Sequence, residues 1–154
     1  MIDIKLIVIG KIKESYLIEA IKEYEKRIKP FGNLKIIELK EFTSNDANKN
    51  LKEEGKLILE TISSNDFIIT LEINGKMLDS VELAEYIKKH YTYQNKTLTF
   101  VIGSSNGLCN EIKQRSDYQL SFSKMTFPHQ LMRVIFLEQI YRAFSIINNQ
   151  KYHK

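Results

Sequence analysis

Five short apolar runs alternate with five longer segments of helical character along this chain of 154 residues. The runs are rich in the β-branched and aromatic residues that favour strands, and they span Ile2–Ile9, Leu34–Glu41, Asp66–Ile73, Thr97–Ile102 and Tyr118–Ser123. Several lack polar alternation, which indicates burial on both faces. The alternation therefore predicts an α/β fold in which helices cover a sheet.

The predicted helices lie between the runs, at Glu14–Lys29, about Asn48–Ile62, Ser80 to about His90, about Leu108–Gln114 and His129–Ile147. Asp79 and Glu82 have the spacing of a capping box, and Pro128 suits a first helical position. No repeat or linker interrupts the pattern, and this length is typical of a single domain, so we expect one domain over residues 1–154. The segment Phe42–Lys49 is the predicted mobile loop.

The last predicted helix is apolar around nearly its whole circumference, from Leu131 to Ile147. A surface helix of a small domain needs only one apolar stripe, so this helix requires more than one packing partner. A second copy of the chain about a two-fold axis would supply it. A central position within its own subunit is the alternative.

The composition excludes several classes of protein. Hydrophobic residues make up 43% and charged residues 27%, which is globular rather than disordered composition. No apolar run is long enough to span a membrane, and Asp3 and Lys5 interrupt the opening run, so we expect a cytoplasmic protein. The lone Cys109 cannot form an internal disulfide, and with three scattered histidines it predicts no structural metal.

The positive charge is concentrated in the last third of the chain. Residues 112–154 contain seven lysines and arginines against two acidic residues, whereas the preceding part is close to neutral. A basic segment attracts polyanions, so nucleic acid is a leading candidate partner. A merely solvated basic surface is the alternative.

Three predicted strands are followed by loops that could bind a ligand, at 72–79, 103–107 and 124–128. Ligands of open α/β sheets bind at such strand ends, and Gly75, Gly103 and Gly107 would let one approach the backbone. Simple turns are the alternative, because no loop matches a Walker motif or G-x-G-x-x-G. Hydrolytic mechanisms lack the motifs G-x-S-x-G and H-E-x-x-H. A nucleotide-like site beside a basic C-terminal third suits group transfer onto nucleic acid.

Three stretches of the sequence resemble a known family. FSKMTFPHQLMRVIFLEQIYRAFSIINNQKYHK at 122–154, LEINGKMLDS at 71–80 and FVIGSSNGL at 100–108 closely resemble the RlmH family of ribosomal RNA methyltransferases. The opening IVIGKIKESY and the segment EYEKRIKP also match. The resemblance implies a SPOUT-type α/β knot, with a mostly parallel sheet, helices on both faces, a C-terminal trefoil knot and a homodimeric assembly.

The resemblance also implies transfer of a methyl group from S-adenosyl-L-methionine to N3 of a pseudouridine in a 23S rRNA stem-loop of the assembled ribosome. The implied donor contacts are Leu71, Gly103, Phe122, Ser123, Lys124, Met125, Thr126 and Phe127. Apolar walls are expected from Leu71, Leu78, Leu108, Leu120 and Met125. Members often have a second glycine where this chain has Ser104, so strain at Ser104 or a shifted loop is expected to affect donor affinity.

We hypothesise that the C-terminal tail carries the chemistry, and that the partner subunit could contribute it. His153 is the first candidate for the base that removes the imide proton, and His129, whose alternative role is structural or orienting, is its rival. Arg142 and Tyr152 would position phosphate or base. The predicted RNA contacts are Arg133, Arg142, Lys151 and Lys154, although Arg133 could instead face the dimer seam. Two ion pairs are expected, Glu138–Arg142 and Glu72–Lys76.

Two other classes of protein compete with this interpretation. A phosphoacceptor domain of flavodoxin-like architecture would explain Lys124 at a strand end, but it needs acidic residues where Gly10 and Lys11 stand. A non-catalytic RNA-binding module of α/β fold would explain the basic third, but not glycines in successive strand-end loops. Binding of S-adenosyl-L-methionine would distinguish the enzyme from the module.

Overall fold

The computed structural model describes residues 1–154 as strands and helices in strict alternation. In chain order they are β1 (Ile2–Ile9), α1 (Ser15–Ile28), β2 (Gly32–Leu39), α2 (Ala47–Thr61), β3 (Asp66–Met77), α3 (Ser80–Gln94), β4 (Thr97–Ile102), α4 (Asn110–Arg115), β5 (Tyr118–Ser121) and α5 (His129–Ile147). Every predicted strand and helix is present. The bounds of β1, β4 and α5 are those predicted.

The strands form one sheet in the order β2-β1-β4-β3-β5. All neighbouring strands are parallel, and Ile4 in β1 pairs with Leu34 in β2 and Leu98 in β4. Parallel strands joined by helices are buried on both faces, which explains why several runs lack polar alternation. The carboxyl ends of all five strands therefore lie at one edge of the sheet.

Helices cover both faces of the sheet, as expected. On one face α5 packs between α1 and α3, and α2 packs with α4 on the other. Successive side chains of a strand point to opposite faces, so Leu6 and Val8 join the core with α5, whereas Ile7 and Ile9 join the core with α2 and α4. The trefoil knot implied by the resemblance stays a prediction.

Helix α5 occupies the central position in its own subunit. Phe136, Ile140 and Phe144 are fully buried, and α1 and α3 flank the helix. This central position accounts for most of the apolar surface that the sequence shows. Leu131, near the start of α5, keeps 38% of its surface exposed. A second copy of the chain against this helix stays a prediction.

Some element ends differ from the predicted ones. β3 continues past Ile73 to Met77, and β5 is shorter than predicted. Asp79 and Glu82 form the predicted capping box at the start of α3. Pro128 is the N-cap of α5 rather than its first residue.

The loop that precedes α2 is tied to that helix. The buried Glu54 side chain accepts a hydrogen bond from the Phe42 backbone N–H at 3.0 Å. The buried Asn50 amide accepts from the backbone N–H of Ser44 at 3.1 Å and donates to its carbonyl oxygen at 2.8 Å. The segment predicted to be mobile is therefore attached to α2 through its backbone at two points.

Candidate active site

A cavity of about 820 Å³ opens at the carboxyl ends of β3, β4 and β5. Its walls come from the three loops that the sequence analysis selected, together with the start of α5. This volume is within the range of small-molecule sites, about 300–1,000 Å³. Of the predicted donor contacts, the lining includes Leu71, Gly103, Phe122, Ser123, Met125, Thr126 and Phe127.

Three of the predicted contacts lie elsewhere. Lys124 belongs to the same loop but is not part of the cavity wall. Leu120 is buried in the core with α5, and Leu78 packs against that core. The other predicted apolar walls, Leu108 and Met125 among them, do line the cavity.

One wall is formed by an interruption of β3. Leu120 of β5 pairs with both Leu71 and Lys76 of β3, so residues 72–75 loop out of the sheet between those two positions. A Cβ atom at Gly75 would lie 2.7 Å from the carbonyl oxygen of Gln119, so only glycine lets the strand return so closely to β5. We call residues 72–75 the excursion of β3, and its residue Ile73 is among those that line the cavity.

Glu72 begins the excursion and stabilises it. Its carboxylate accepts a hydrogen bond from the Thr70 hydroxyl at 2.7 Å and pairs with Lys113 at 3.7 Å. The prediction that Glu72 pairs with Lys76 was wrong. Lys76 has already rejoined the sheet, where it pairs with Leu120.

The loop after β4 makes a tight turn. The Gly107 N–H donates to the Ser104 carbonyl oxygen at 2.9 Å, and Gly107 adopts φ 86°. A Cβ atom on Gly103 would overlap the carbonyl oxygen of Gly107. Ser104 is not among the residues with positive φ, so the strain expected there is absent because Gly107 takes the left-handed conformation.

Two buried polar atoms in the cavity wall have no hydrogen-bond partner, the Ser104 hydroxyl oxygen and Nε2 of His129. Buried polar atoms are rarely left unpaired in proteins. Ser104 retains only 7% of its surface exposed. Both atoms are enclosed in the free protein, so a polar ligand in the cavity would pair with them after a rotation of the side chain.

A second cluster of polar residues lies at the other end of α5, where the C-terminal tail folds back. Glu138 Oε1 accepts hydrogen bonds from Arg142 and, at 3.0 Å, from the Tyr152 hydroxyl. Arg142 Nη1 lies 3.2 Å from Nδ1 of His153. The Tyr152 ring packs edge-on against Tyr141 at 4.7 Å between centroids. This arrangement, which we call the tail cluster, confirms the predicted Glu138–Arg142 pair.

Electrostatics keep Arg142 and Tyr152 protonated. The hydrogen bond to Glu138 raises the pKa of Arg142 above its ordinary value. Burial, followed by the same carboxylate, raises the pKa of Tyr152. A guanidinium group can only donate, so Nδ1 of His153 must be the acceptor in its contact with Arg142. The proton of a neutral His153 then sits on Nε2.

The structure brings together three of the four predicted catalytic residues and leaves the fourth apart. Arg142, Tyr152 and His153 share the tail cluster, whereas His129 lies at the cavity where α5 begins. At 1.5 Å per residue, about 20 Å of helix separates His129 from Arg142. Within one subunit His129 and His153 therefore belong to separate groups of residues, and His153 does not line the cavity.

Arg133 has a structural position inside the subunit. It is 2% exposed, and its guanidinium donates to the carbonyl oxygens of Ile9 at 2.7 Å and Gly10 at 2.8 Å and pairs with Glu38 at 2.9 Å. Burial lowers the pKa of Arg133, against the opposing effect of Glu38. A guanidinium enclosed in this way cannot meet an RNA phosphate, so the predicted RNA contact at Arg133 does not fit the structure.

Of the three remaining predicted RNA contacts, Lys151 and Lys154 are exposed at the tail, whereas Arg142 belongs to the tail cluster. One connection to the tail cluster was not predicted. The Ser80 hydroxyl donates to Gln139 at 2.6 Å, and Gln139 in turn donates to Glu138 at 2.9 Å. This network joins the start of α3 to the tail cluster. No sequence pattern predicts the contact between Ser80 and Gln139, because the two residues lie far apart in the chain.

Two kinds of feature are absent from the chain. No three side chains of His, Cys, Asp or Glu lie together in an arrangement that could hold a metal ion. None of the helices combines the length and the apolar character that crossing a membrane would require.

The sequence of the chain is similar to that of known methyltransferases. A family model described as predicted SPOUT methyltransferase matches residues 2–153. A ribosomal RNA large subunit methyltransferase H from Carboxydothermus hydrogenoformans is 46% identical over 158 residues, which cover 99% of each chain.

Two solved structures share the fold. A probable methylase family protein from Haemophilus influenzae matches with a TM-score of 0.56 and 15% identity, over 99% of this chain and 71% of that one. A probable methyltransferase from Bordetella pertussis matches with a TM-score of 0.57 and 13% identity, over 93% of this chain and 95% of that one. At these identities the likeness concerns the fold alone.

Proposed function

The chain belongs to the SPOUT methyltransferase family, and from this we propose that it methylates N3 of a pseudouridine in a stem-loop of 23S rRNA, with S-adenosyl-L-methionine as donor. The relative from Carboxydothermus hydrogenoformans is named for methylation of large-subunit ribosomal RNA. The basic C-terminal third supports a polyanionic substrate. In this proposal residues 1–154 form one knotted domain that acts on the assembled ribosome in the cytoplasm.

The cavity at the ends of β3, β4 and β5 is the observation that carries the proposal. Leu71, Leu108 and Met125 offer apolar surface for an adenine ring, while the backbone of residues 103 and 122–127 can read its edge. The absence of a side chain at Gly103 keeps the turn tight and its backbone accessible. The unpaired Ser104 and His129 atoms offer polar contacts for the rest of the nucleoside. These residues fit the donor.

The reaction needs alignment and the handling of one proton. A bound donor supplies an electrophilic sulfonium methyl group, so the chain must orient the acceptor and help the imide proton to leave. Arg142 keeps its positive charge and can stabilise the imide anion as it forms. His153 can accept the proton only after Nδ1 is released from Arg142, because Nε2 is already protonated. His129 has an unpaired Nε2 and remains the rival base.

A homodimer would bring the cavity of one subunit together with the tail cluster of its partner. Reacting atoms must approach to about 3–3.5 Å, but about 20 Å of helix separates His129, which lines the cavity, from Arg142 of the tail cluster in the same subunit. A two-fold axis that sets two α5 helices antiparallel would place the partner's tail cluster near the cavity. The exposed apolar side chains of Met77, Val81 and Leu131 support a further packing surface in this region.

Methyl incorporation tests the function. Ribosomes from a strain that lacks the modification are incubated with the protein and radiolabelled S-adenosyl-L-methionine, and the labelled nucleotide is mapped. The expected result is label at a single pseudouridine of the large-subunit RNA, with none in isolated small subunits. Label in several nucleotides, or in none, would contradict the proposal.

Mixed dimers test the shared site. Subunits carrying Gly103→Ala, which lack the donor site, are co-expressed with subunits carrying His153→Ala, and differently tagged heterodimers are purified. A site shared between subunits restores activity in the heterodimer, because one cavity then meets an intact tail. Heterodimers as inactive as both parents would show that each subunit uses its own tail.

A further inference from the structure

We propose that the hydroxyl of Ser104 is a donor-binding group, which hydrogen-bonds a polar group of the bound nucleoside and thereby strengthens donor binding in this chain. The inference rests on the proposed function and deepens it. It assigns a role to the position where this chain departs from the glycine often present in the resembling family, and it reverses the expectation that a side chain there obstructs the ligand.

The backbone of Ser104 is held in a tight turn. Its carbonyl oxygen accepts the hydrogen bond from Gly107, and the two residues form an isolated antiparallel bridge. Its φ is not positive, so serine is held there without left-handed strain. Ser104 lines the cavity, and a rotation about its single Cα–Cβ bond can direct the hydroxyl at a ligand there.

The hydroxyl also lacks any partner within the chain. Ser104 is more than nine-tenths buried and its Oγ atom makes no hydrogen bond. A hydroxyl can both donate and accept, and leaving it unpaired in a buried place costs free energy that a polar ligand in the cavity would recover. A ligand in the cavity would therefore give the Ser104 hydroxyl the hydrogen-bond partner that it lacks in the free protein.

Thr99 provides the matched comparison on the adjoining strand. Its hydroxyl is likewise buried and unpaired, but Thr99 lies within β4 and outside the cavity wall. Removing either hydroxyl relieves an unsatisfied group in the free protein. Only removal of the Ser104 hydroxyl should change the affinity for the ligand.

Calorimetric titration with S-adenosyl-L-methionine and thermal unfolding of the free protein test the assignment. Ser104→Ala keeps the Cβ atom and should bind the donor about three- to tenfold more weakly, as expected for one lost hydrogen bond. Its unfolding midpoint without ligand should be unchanged or higher. Ser104→Gly should weaken binding to a similar extent, and Thr99→Val should leave the affinity unchanged.

Several results would overturn the assignment. Ser104→Ala binding as tightly as wild type would show that the hydroxyl makes no contact, and Ser104→Gly binding more tightly would show that the side chain obstructs the donor. An unfolding midpoint lowered in Ser104→Ala without ligand would show a structural hydroxyl. If wild-type protein does not bind the donor at all, the proposed function fails together with this inference.

Discussion

Gly103 faces the carbonyl group of Gly107 so closely that a Cβ atom at position 103 would overlap its oxygen. Gly103→Ala should therefore displace the turn, lower the free energy of unfolding by about 1–3 kcal/mol as other overpacked sites do, and abolish donor binding measured by calorimetry. Gly107→Ala is the control, because no atom lies within 4 Å of a Cβ atom there. It should cost only left-handed strain, about 1–2 kcal/mol. Equal loss of binding in both variants would argue against the turn as a donor contact.

The two candidate bases should differ in what their removal changes. His153→Ala should slow single-turnover methylation of ribosomes by about 10²–10⁴-fold, as for loss of a general base, and should leave donor affinity unchanged, because His153 is not among the residues that line the cavity. His129→Ala should weaken donor binding, because His129 lines the cavity and its Nε2 has no partner within the chain. An unchanged single-turnover rate in His153→Ala would remove that residue from the mechanism.

Arg133 should affect stability rather than RNA binding. Arg133→Met deprives the carbonyl groups of Ile9 and Gly10 of their donor, and we expect the free energy of unfolding in urea to fall by about 1–3 kcal/mol. The salt dependence of ribosome binding should not change. Lys154→Ala is the opposite case. Its free energy of unfolding should stay within about 0.5 kcal/mol of wild type, whereas the slope of log binding constant against log salt concentration should become smaller by about one. A reduced salt slope in Arg133→Met would restore the predicted RNA contact.

Gly55 in α2 and Cys109 should be energetically coupled, because a Cβ atom at position 55 would overlap the Cys109 sulfur. Gly55→Ala alone should destabilise the protein, although alanine favours a helix by about 1 kcal/mol over glycine. In a Cys109→Ala background the overlap disappears and the same substitution should stabilise. A double-mutant cycle by urea denaturation should give a coupling of about 1 kcal/mol or more. Additive effects would contradict the contact.

The tail cluster should loosen at high pH. Burial and Glu138 raise the pKa of Tyr152 above its ordinary value, so the folded tail favours the protonated phenol. Its contribution to stability is present below about pH 10, the ordinary tyrosine value, and is lost as the pH rises through the raised value. The ionisation of Tyr152 is measured as the difference in tyrosinate absorbance between the wild-type protein and Tyr152→Phe as the pH is raised. Glu138→Gln should lower its midpoint, and an unchanged midpoint would mean that the carboxylate contributes nothing.

The elements that the sequence predicted best are those with continuous apolar runs and clear ends. β1, β4 and α5 have the predicted bounds because apolar periodicity and turn residues define both ends of each. The order of strands in the sheet does not follow from such local patterns. The interruption of β3 was missed for a related reason, since Gly75 looks like an ordinary turn residue until β5 lies beside it.

The site was predicted in part, because the residue types at strand ends are local information and side-chain partners are not. The loops around Gly103 and Phe122 followed from their place after strands. Arg133 appeared to belong to a basic surface, because its partners Ile9 and Gly10 stand at the opposite end of the chain. The unpaired hydroxyl of Ser104 required knowledge of every neighbouring atom.

The excursion of β3 leaves the sheet after Leu71 and returns at Lys76 in line with the same residue of β5. β5 therefore pairs with β3 on both sides of the excursion without an interruption of its own. We expect loops of other lengths to be tolerated between positions 71 and 75, provided that glycine is kept at position 75 beside Gln119. This protein thus offers an engineer one segment in which ligand preference can be altered separately from folding.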